Sequence, residues 1–280
     1  MKRTSEFVSK NALYLISSPI GNLSDISSRA LDTLKMVDYL FCEDTRKTSI
    51  LLNSYKIEKT LDSYHDFSDK AKEDKIISLL KEGYNVGLIS DCGTPIISDP
   101  GYEVVRRSID ENIRVIPIPG VTAEVSALTV STLPPKPYLF YGFLDHKKSK
   151  RIKEMESLKD YPFTTVFYES PQRINETISE FYSVFNDRKA SLSREITKLY
   201  EETIYFNLSE YDKIPLDLKG EMVLVIEGKS DAINNNVDII QEMNKIIRDG
   251  YSVKEASKIL KERTGLSSSY IYNEYQKVKK

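Results

Sequence analysis

The stretch SDCGTPIISDPG, residues 90–101, decides the fold, because it is a polar, turn-forming loop between two apolar segments. The apolar run Val86–Ile89 predicts a strand before it, and residues 102–109 predict a helix after it. Loops at the carboxyl ends of strands in open α/β sheets bind ligands, because their backbone N–H and C=O groups are not paired within the sheet. The stretch therefore predicts an α/β fold with a ligand site at this loop.

Two common nucleotide-binding loops are excluded here. A phosphate-binding P-loop ends in Gly-Lys-Ser or Gly-Lys-Thr, and residues 90–101 contain no lysine. A dinucleotide-binding turn needs three glycines at fixed offsets, whereas this loop has other spacing and two prolines. Asp91 and Asp99 suit a ligand with hydroxyl groups or positive charge better than a polyphosphate. A tight connection from strand to helix without a ligand remains an alternative on residue content alone.

Apolar runs alternate with polar turns through the first half of the chain, which predicts parallel strands joined by helices. Residues 13–16 predict the first strand, which ends in the turn formers SSPIGN, residues 17–22. Ser27 or Ser28 is predicted to cap a helix that leads to a strand over Tyr39–Cys42. The other predicted elements of this half are a helix over residues 71–81, a strand over Arg114–Ile118, a turn over residues 119–123 and a helix over residues 124–131.

Three prolines within residues 133–137, LPPKP, permit neither a helix interior nor a central strand. They predict a boundary between an N-terminal α/β domain, residues 1–134, and a second α/β domain, residues 135–229. Residues 230–236 contain three consecutive asparagines and predict a linker. Residues 237–280 predict three helices with short turns, a pattern similar to a helix-turn-helix unit.

The C-terminal unit is locally basic, with nine lysines and arginines against six acidic residues in 237–280. This balance favours a nucleic-acid surface. A small helical appendage with a solvated charged surface explains the same residues, and the sequence does not decide between the two.

Composition limits the classes of protein to which the chain could belong. The chain has 280 residues, 40% hydrophobic content and a formal net charge of −2, so any basic surface is local. Cys42 and Cys92 lie far apart without a CxxC pair, which predicts no disulfide framework and no metal site and favours a reducing cytoplasm. No apolar window approaches the length of a membrane helix, so no membrane contact is expected.

Several separated motifs in residues 13–229 together resemble the tetrapyrrole methylase-like, class III S-adenosylmethionine-dependent methyltransferases. Any one motif is weak, but their order is specific. Departures from the usual family pattern are Cys92, Ile96 and Val121-Thr122, and none removes a charged group. The motifs are SPIGNLSD (18–25), RAL (29–31), EDTR (43–46), residues 90–101, PIPG (117–120), GFL (142–144), FYESPQR (167–173), REITK (194–198) and KGE (219–221).

The resemblance implies two α/β domains with S-adenosylmethionine in the cleft between them and a homodimer; the small C-terminal helical unit lies outside the matched region. It further implies an rRNA (cytidine-2′-O)-methyltransferase that acts on the decoding region of 16S rRNA. A methyltransferase of the same fold that acts on a tetrapyrrole or another small molecule is an alternative. A non-catalytic RNA-binding or ribosome-assembly protein is another.

For this reaction, the charged residues that follow predicted strands are the candidates for the RNA side of the site. Arg46, Arg194 and Lys198 are expected to position the RNA and stabilise charge, and Asp44 or Glu169 to orient the ribose hydroxyl. A structural ion pair is the alternative for each of them. The residues expected to contact the cofactor are Ile20, Asp91, Gly93, Ile96, Gly120, Val121, Thr122 and Tyr168.

Overall fold

The computed structural model of the chain describes residues 11–65, 70–215, 218–229, 239–264 and 268–278. The predicted linker, residues 230–236, lies outside these ranges, as does the predicted turn at Gly265. Within them the predicted fold class is confirmed: two sheets with surrounding helices are followed by a group of C-terminal helices.

The first sheet is parallel, and its strand order makes two functional loops neighbours. Its strands are β1 (Ala12–Ile16), β2 (Tyr39–Cys42), β3 (Leu61–Ser63), β4 (Val86–Ile89) and β5 (Arg114–Ile118). They lie in the order β3-β2-β4-β1-β5. Ile16 pairs with Ile89, so β1 and β4 end side by side at the same edge of the sheet. The loops that leave these two strands therefore emerge together.

Helices cover both faces of this sheet, which explains why its central strands are continuous apolar runs. Successive residues of β1 point to opposite faces, so Tyr14 and Ile16 pack in one core and Leu13 packs in the other. Ser27 caps the first helix, as the sequence predicted, with its Oγ accepting a hydrogen bond from Ala30 N at 3.1 Å. The helices of this half are α1 (Ser28–Met36), α2 (Thr45–Ser54), α3 (Lys70–Lys81) and α4 (Tyr102–Asp110), followed by α5 (Ala123–Val130), which packs elsewhere.

The second sheet is mixed. Its strands are β6 (Tyr138–Phe143), β7 (Thr164–Glu169), β8 (Lys189–Arg194), β9 (Glu202–Asn207) and β10 (Met222–Ile226). They lie in the order β6-β7-β10-β8-β9, in which only the β6–β7 pair is parallel. Helices α6 (Lys148–Leu158) and α7 (Ile174–Phe185) cover one face.

An apolar cluster joins the last helix of the first half to the second sheet. Ala127 and Leu128 of α5 pack against Val223 and Val225, which lie on the face of β10 opposite α6 and α7. All five residues of β10 are buried, because both faces of this strand are covered. The predicted boundary between residues 134 and 135 stays a prediction.

The C-terminal unit consists of α8 (Ile239–Arg248), α9 (Val253–Thr264) and α10 (Ser268–Val278). Its own small core contains Met243, Ile246, Leu260 and Ile271. A capping box starts α9, in which Ser252 and Glu255 exchange side-chain and backbone hydrogen bonds. The amphipathic pattern that predicted three helices thus corresponds to three helices packed on one another.

A buried ion pair holds α6 against α7 and generates a prediction. The guanidinium of Arg151 donates two hydrogen bonds to the Glu180 carboxylate, at 2.6 and 2.9 Å, and its side chain is only 2% exposed. Arg151→Met should lower the free energy of unfolding by about 3 kcal/mol, because the buried carboxylate loses its main partner. Urea unfolding of the full chain measures this effect.

The double variant Arg151→Met with Glu180→Leu is the control. It should recover most of the lost stability, since it removes both charges and leaves apolar side chains between the helices. A double variant as unstable as Arg151→Met would show that packing of the arginine stem, rather than the ion pair, dominates.

Candidate active site

A cavity of about 500 Å³ lies where the strand-end loops of the two sheets face each other. The first half contributes Ile20 from the loop after β1, Gly93 from the loop after β4 and Thr122 at the start of α5. The second half contributes the end of β7, the loop after β8 and the start of β10. The cavity is of the size that ligand sites for small molecules have.

The loops after β1 and β4 are tied together by the backbone. Ser18 N donates to Gly93 O at 2.8 Å, and Gly93 N donates to Ser18 O at 3.2 Å. Gly93 has a φ of +84°, a conformation that glycine adopts without strain. Ser90 Oγ adds a hydrogen bond to Gly93 O at 2.9 Å. These bonds fix the part of the cavity wall that the first sheet supplies.

A hydrogen bond between Tyr168 and Glu124 joins the two halves inside the cavity. The Tyr168 hydroxyl, at the end of β7, donates to Glu124 Oε2 at 2.5 Å, and Glu124 lies in the first turn of α5. Burial, together with the hydrogen bond to the Glu124 carboxylate, raises the pKa of Tyr168 far above its ordinary value. The phenol therefore stays protonated and holds the carboxylate in one orientation.

Lys198 crosses from the second half to the loop after β1. Its Nζ lies 2.8 Å from Glu195 Oε1 and 3.0 Å from Glu221 Oε2. Its stem lies over Gly21, where an added Cβ would come within 2.5 Å of Lys198 Cγ. Burial lowers the pKa of Lys198, but the hydrogen bonds with Glu195 and Glu221 outweigh burial and raise it overall. The ammonium group is therefore charged throughout the neutral range.

Negative charge dominates the cavity. Burial and the nearby Glu221 carboxylate raise the pKa of Cys92, also in the lining, to about 11, so its thiol is neutral. Among the described lining residues, five acidic residues accompany Lys198: Asp99, Glu124, Glu169, Glu195 and Glu221. The carboxylate of Glu169 is turned into the protein, where it pairs with Arg173.

Comparison with known proteins now identifies the family. The model of the tetrapyrrole (corrin/porphyrin) methylases matches residues 12–212. The chain belongs to the tetrapyrrole methylase family. Two relatives are each named ribosomal RNA small subunit methyltransferase I. The one from Bacillus subtilis is 44% identical over 82% of this chain and 78% of its own length. The one from Halalkalibacterium halodurans is 39% identical over 95% of each chain.

Solved structures show the same fold. Uroporphyrin-III C-methyltransferase from Thermus thermophilus, complexed with S-adenosylhomocysteine, matches with a TM-score of 0.55 and 14% identity. The match covers 77% of this chain and 97% of that one. No helix among the described residues of this tetrapyrrole methylase is long and apolar enough to cross a membrane.

Methyltransferases of this family take the methyl group from S-adenosylmethionine, and the predicted cofactor is confirmed. The chemistry of the cavity fits it. The excess of carboxylates suits a sulfonium and an ammonium group, while Ile20, Ala123 and Val223 supply apolar surface for an adenine ring. At Gly93, a Cβ would lie 3.5 Å from Ile20 Cγ2, so the bare backbone leaves this wall open for a ligand.

The residues expected to contact the cofactor divide into two groups. Ile20, Gly93, Thr122 and Tyr168 line the cavity. The other four lie outside its lining. Their positions depend on contacts in the folded chain that the sequence pattern does not show. These four are Asp91, Ile96, Gly120 and Val121.

Each residue of the second group has a local role. The Asp91 carboxylate accepts a hydrogen bond from Asp44 N at 2.9 Å and pairs with Lys47 at 3.0 Å. Ile96 has a φ of +78° and lies under Gly101, and its neighbour Ile97 lines the cavity instead. Gly120 lies against Ser17, since an added Cβ would be 2.5 Å from Ser17 Cβ.

Val121 shapes the wall from behind. Its carbonyl oxygen would lie 3.8 Å from a Cβ at Gly93, so its backbone packs close to the wall without lining it.

The residues expected to act on the RNA are not all in one place. Lys198 and Glu169 line the cavity, whereas Asp44, Arg46 and Arg194 do not. Asp44 caps α2, and its carboxylate lies 2.7 Å from the Arg46 guanidinium. Hydrogen bonds from this guanidinium and from the backbone N–H of Arg46 hold the pKa of Asp44 well below its usual range. The Arg46 side chain is 87% exposed. Arg194 pairs with Glu202 at 2.7 Å on the neighbouring strand.

Glu169 lines the cavity, but its carboxylate is engaged within the protein. Its Oε1 accepts hydrogen bonds from Ser170 N at 2.7 Å and from Arg173 at 2.7 and 3.0 Å, and its Oε2 accepts one from Thr177 Oγ1 at 2.8 Å. The carboxylate is 1% exposed. This geometry favours a structural role, in which Glu169 fixes the turn between β7 and α7.

Sequence reasoning gave no role to several lining residues. Phe143 lies within the motif GFL, and Met222 and Val223 directly follow the motif KGE. These two motifs are the sequence features that could have indicated that the three residues line the cavity. Glu124 follows the turn at residues 119–123, where an acidic residue in the first turn of a helix is ordinary and gives no signal. Its partner Tyr168 lies 44 residues away in the chain.

Gly93→Val should weaken S-adenosylmethionine binding at least about tenfold, since valine at a φ of +84° strains the loop and places its branches at the cavity wall. Isothermal titration calorimetry measures the affinity. Gly83→Val is the matched control, because Gly83 has a φ of +98°, has open space around its Cβ position and lies outside the cavity.

The control should lose stability without losing affinity for S-adenosylmethionine. Equal affinities of the Gly93→Val variant and the unmodified protein would remove Gly93 from the cofactor site.

Proposed function

We propose that the chain transfers a methyl group from S-adenosylmethionine to the 2′-hydroxyl of a cytidine in the decoding region of 16S rRNA. The observation that carries this proposal is the match to relatives named ribosomal RNA small subunit methyltransferase I over 82% and 95% of the chain. The acidic cavity between the two sheets supports the methyl-donor half of the reaction.

The cofactor is assigned to the cavity of about 500 Å³, where it supplies a methyl group activated by a positively charged sulfur. Ile20, Gly93, Thr122 and Tyr168 contact it directly in this proposal. Asp91, Ile96, Gly120 and Val121 act behind the wall and keep the loops in shape. Most of the rate comes from positioning, because the electrophile is already activated.

Lys198 is assigned to the acceptor side. A ribose hydroxyl is a weak nucleophile near neutral pH, so a fixed cation near the forming alkoxide lowers the barrier. The Lys198 ammonium group is held by Glu195 and Glu221 at the cavity lining and does not need to reorganise.

The other predicted RNA-side residues receive positioning roles. Arg46 is exposed and binds backbone phosphates, and Asp44 orients it. Arg194 fixes the start of the segment that carries Lys198, through its pair with Glu202. Glu169 orders the turn after β7 through Arg173.

The proposed partner is 16S rRNA in the small ribosomal subunit. The basic C-terminal unit is assigned a supporting contact with phosphates, since Lys254, Lys258 and Lys261 are exposed on one side of α9. A homodimer and a cytoplasmic location remain predictions.

Removal of the protein from its cell should abolish one cytidine 2′-O-methylation in the decoding region, because in this proposal the chain is the enzyme that modifies that position. Mass mapping of the 16S rRNA nucleotides measures the modification. An unchanged pattern, combined with S-adenosylmethionine binding by the pure protein, would favour the tetrapyrrole or small-molecule acceptor. Absence of binding would favour a non-catalytic RNA-binding protein.

Lys198→Met should lower kcat about 100-fold, the size of effect that follows from loss of one fixed charge at a reacting oxygen. S-adenosylmethionine affinity should be equal or higher, because Glu195 and Glu221 then face the cavity without the lysine charge. Steady-state methyl transfer and calorimetry measure the two quantities.

Lys213→Met is the matched control, since Lys213 pairs with Glu210 at 2.8 Å and does not line the cavity. It should change neither quantity. Weaker cofactor binding by Lys198→Met, without a separate fall in kcat, would assign the lysine to the cofactor instead.

A further inference from the structure

A second, smaller cavity of about 180 Å³ lies beside the first. It is formed by the loops after β1 and β4 and the N-terminal part of α2. Its lining alternates hydroxyl groups with aliphatic side chains and one ion pair. The residues are Ser18, Pro19, Gly21, Leu23, Lys47, Thr48, Ile50, Leu51, Ser90 and Asp91.

Ser18 carries the strongest signal in this cavity. Its side-chain Oγ is buried, with the residue only 3% exposed, and it makes no hydrogen bond with any residue that the structure describes. The neighbouring hydroxyls are different: Ser17 Oγ bonds Thr94 Oγ1 at 3.0 Å, and Ser90 Oγ bonds Gly93 O. A buried hydroxyl without a partner is costly, so its presence in a cavity wall points to a polar ligand.

The remaining lining suits the faces and edges of a small ring. Leu23 and Ile50 keep 45% and 68% of their surface exposed and offer aliphatic contacts. Lys47 is 66% exposed and is held by Asp91 at 3.0 Å, which places a cation at the edge of this cavity. A nucleotide unit of an RNA chain presents the complementary groups, namely an apolar ring face, hydroxyl groups and a phosphate.

The same two loops line both cavities, but through different residues. Ile20 lines the first and Gly21 the second, while Gly93 lines the first and Asp91 the second. Lys198 lines the first cavity, and its stem lies over Gly21 of the second. A group bound in the smaller cavity is therefore separated from the larger one by a single loop and by this lysine.

We propose that the smaller cavity receives the acceptor nucleoside, a single pyrimidine ribonucleoside of the RNA chain, with Ser18 Oγ as a hydrogen-bonding partner. This inference rests on the proposed rRNA activity and deepens it. Leu23 and Ile50 contact the ring, and Lys47 contacts the adjoining phosphate. The ribose then extends past the edge of this loop and past Lys198, so that its 2′-oxygen faces the methyl group with no protein atom between them.

Ser18→Ala tests the assignment. Methyl transfer to small ribosomal subunits that lack the modification is measured with the full chain, together with S-adenosylmethionine affinity by calorimetry. The KM for the subunits should rise about 3- to 10-fold, the range expected for loss of one hydrogen bond. Cofactor affinity should stay within twofold of that of the unmodified protein.

The matched control is Ser191→Ala. Ser191 Oγ in β8 is also buried and makes no hydrogen bond among the described residues, but Ser191 lines neither cavity. It should leave both quantities unchanged. An equal rise in KM in the two variants would mean that Ser18 acts only through stability.

A second pair of variants does not depend on a buried position. Ile50→Ser should also raise the KM for the subunits, whereas Ile109→Ser, at a residue 60% exposed in α4 that lines neither cavity, should not. Weaker cofactor binding by the Ser18 or Ile50 variant would assign the smaller cavity to the cofactor and overturn the inference. An unchanged KM in both variants would also overturn it.

The same assay separates this inference from the function on which it rests. If the unmodified protein transfers no methyl group to the subunits, the rRNA activity itself fails and the acceptor site fails with it. If the unmodified protein is active and the variants match it, only the acceptor site is wrong.

Discussion

The pair of backbone hydrogen bonds between Ser18 and Gly93 is the constraint on which the site depends. β1 and β4 are parallel neighbours, so their chains leave the sheet side by side with donors and acceptors no longer paired in the ladder. The two bonds satisfy some of these groups and turn the loops into one wall. The cavities lie on either side of that wall, so the position of each follows from the strand order.

Contacts between the two halves hold the charged side chains of the cavity in place. Tyr168 holds Glu124 in position, and Glu195 and Glu221 hold Lys198. The raised pKa values of Tyr168 and Lys198 keep the phenol neutral and the ammonium group charged through the neutral range. Apolar packing of α5 on β10 supplies the rigid support, since it fixes the helix that carries Glu124 against the sheet that carries Tyr168. The polar contacts then add orientation to a junction that the hydrophobic effect has already formed.

Much of the first sheet follows from the sequence because β1, β2 and β4 are short apolar runs followed by polar loops. β3 carries no such signal, because Leu61–Ser63 is three residues long and half-buried at the sheet edge. The strand-end loops located the large cavity, and Ile20, Gly93, Thr122 and Tyr168 are in its lining. The sequence did not show that Asp91 faces the other cavity or that Ile96 turns away, because positive φ values at Ile96 and Ser98 reverse the direction of the loop. Such reversals, like the contact of Glu124 with Tyr168, depend on distant parts of the chain.

The excess of carboxylates around the larger cavity also bears on turnover. Methyl transfer removes the positive charge from sulfur, so the spent cofactor carries one unit of positive charge less than the donor that entered. If the cofactor binds in this cavity as proposed, the carboxylates attract the product less than the donor. The electrostatics of the cavity then favour exchange of spent for fresh cofactor.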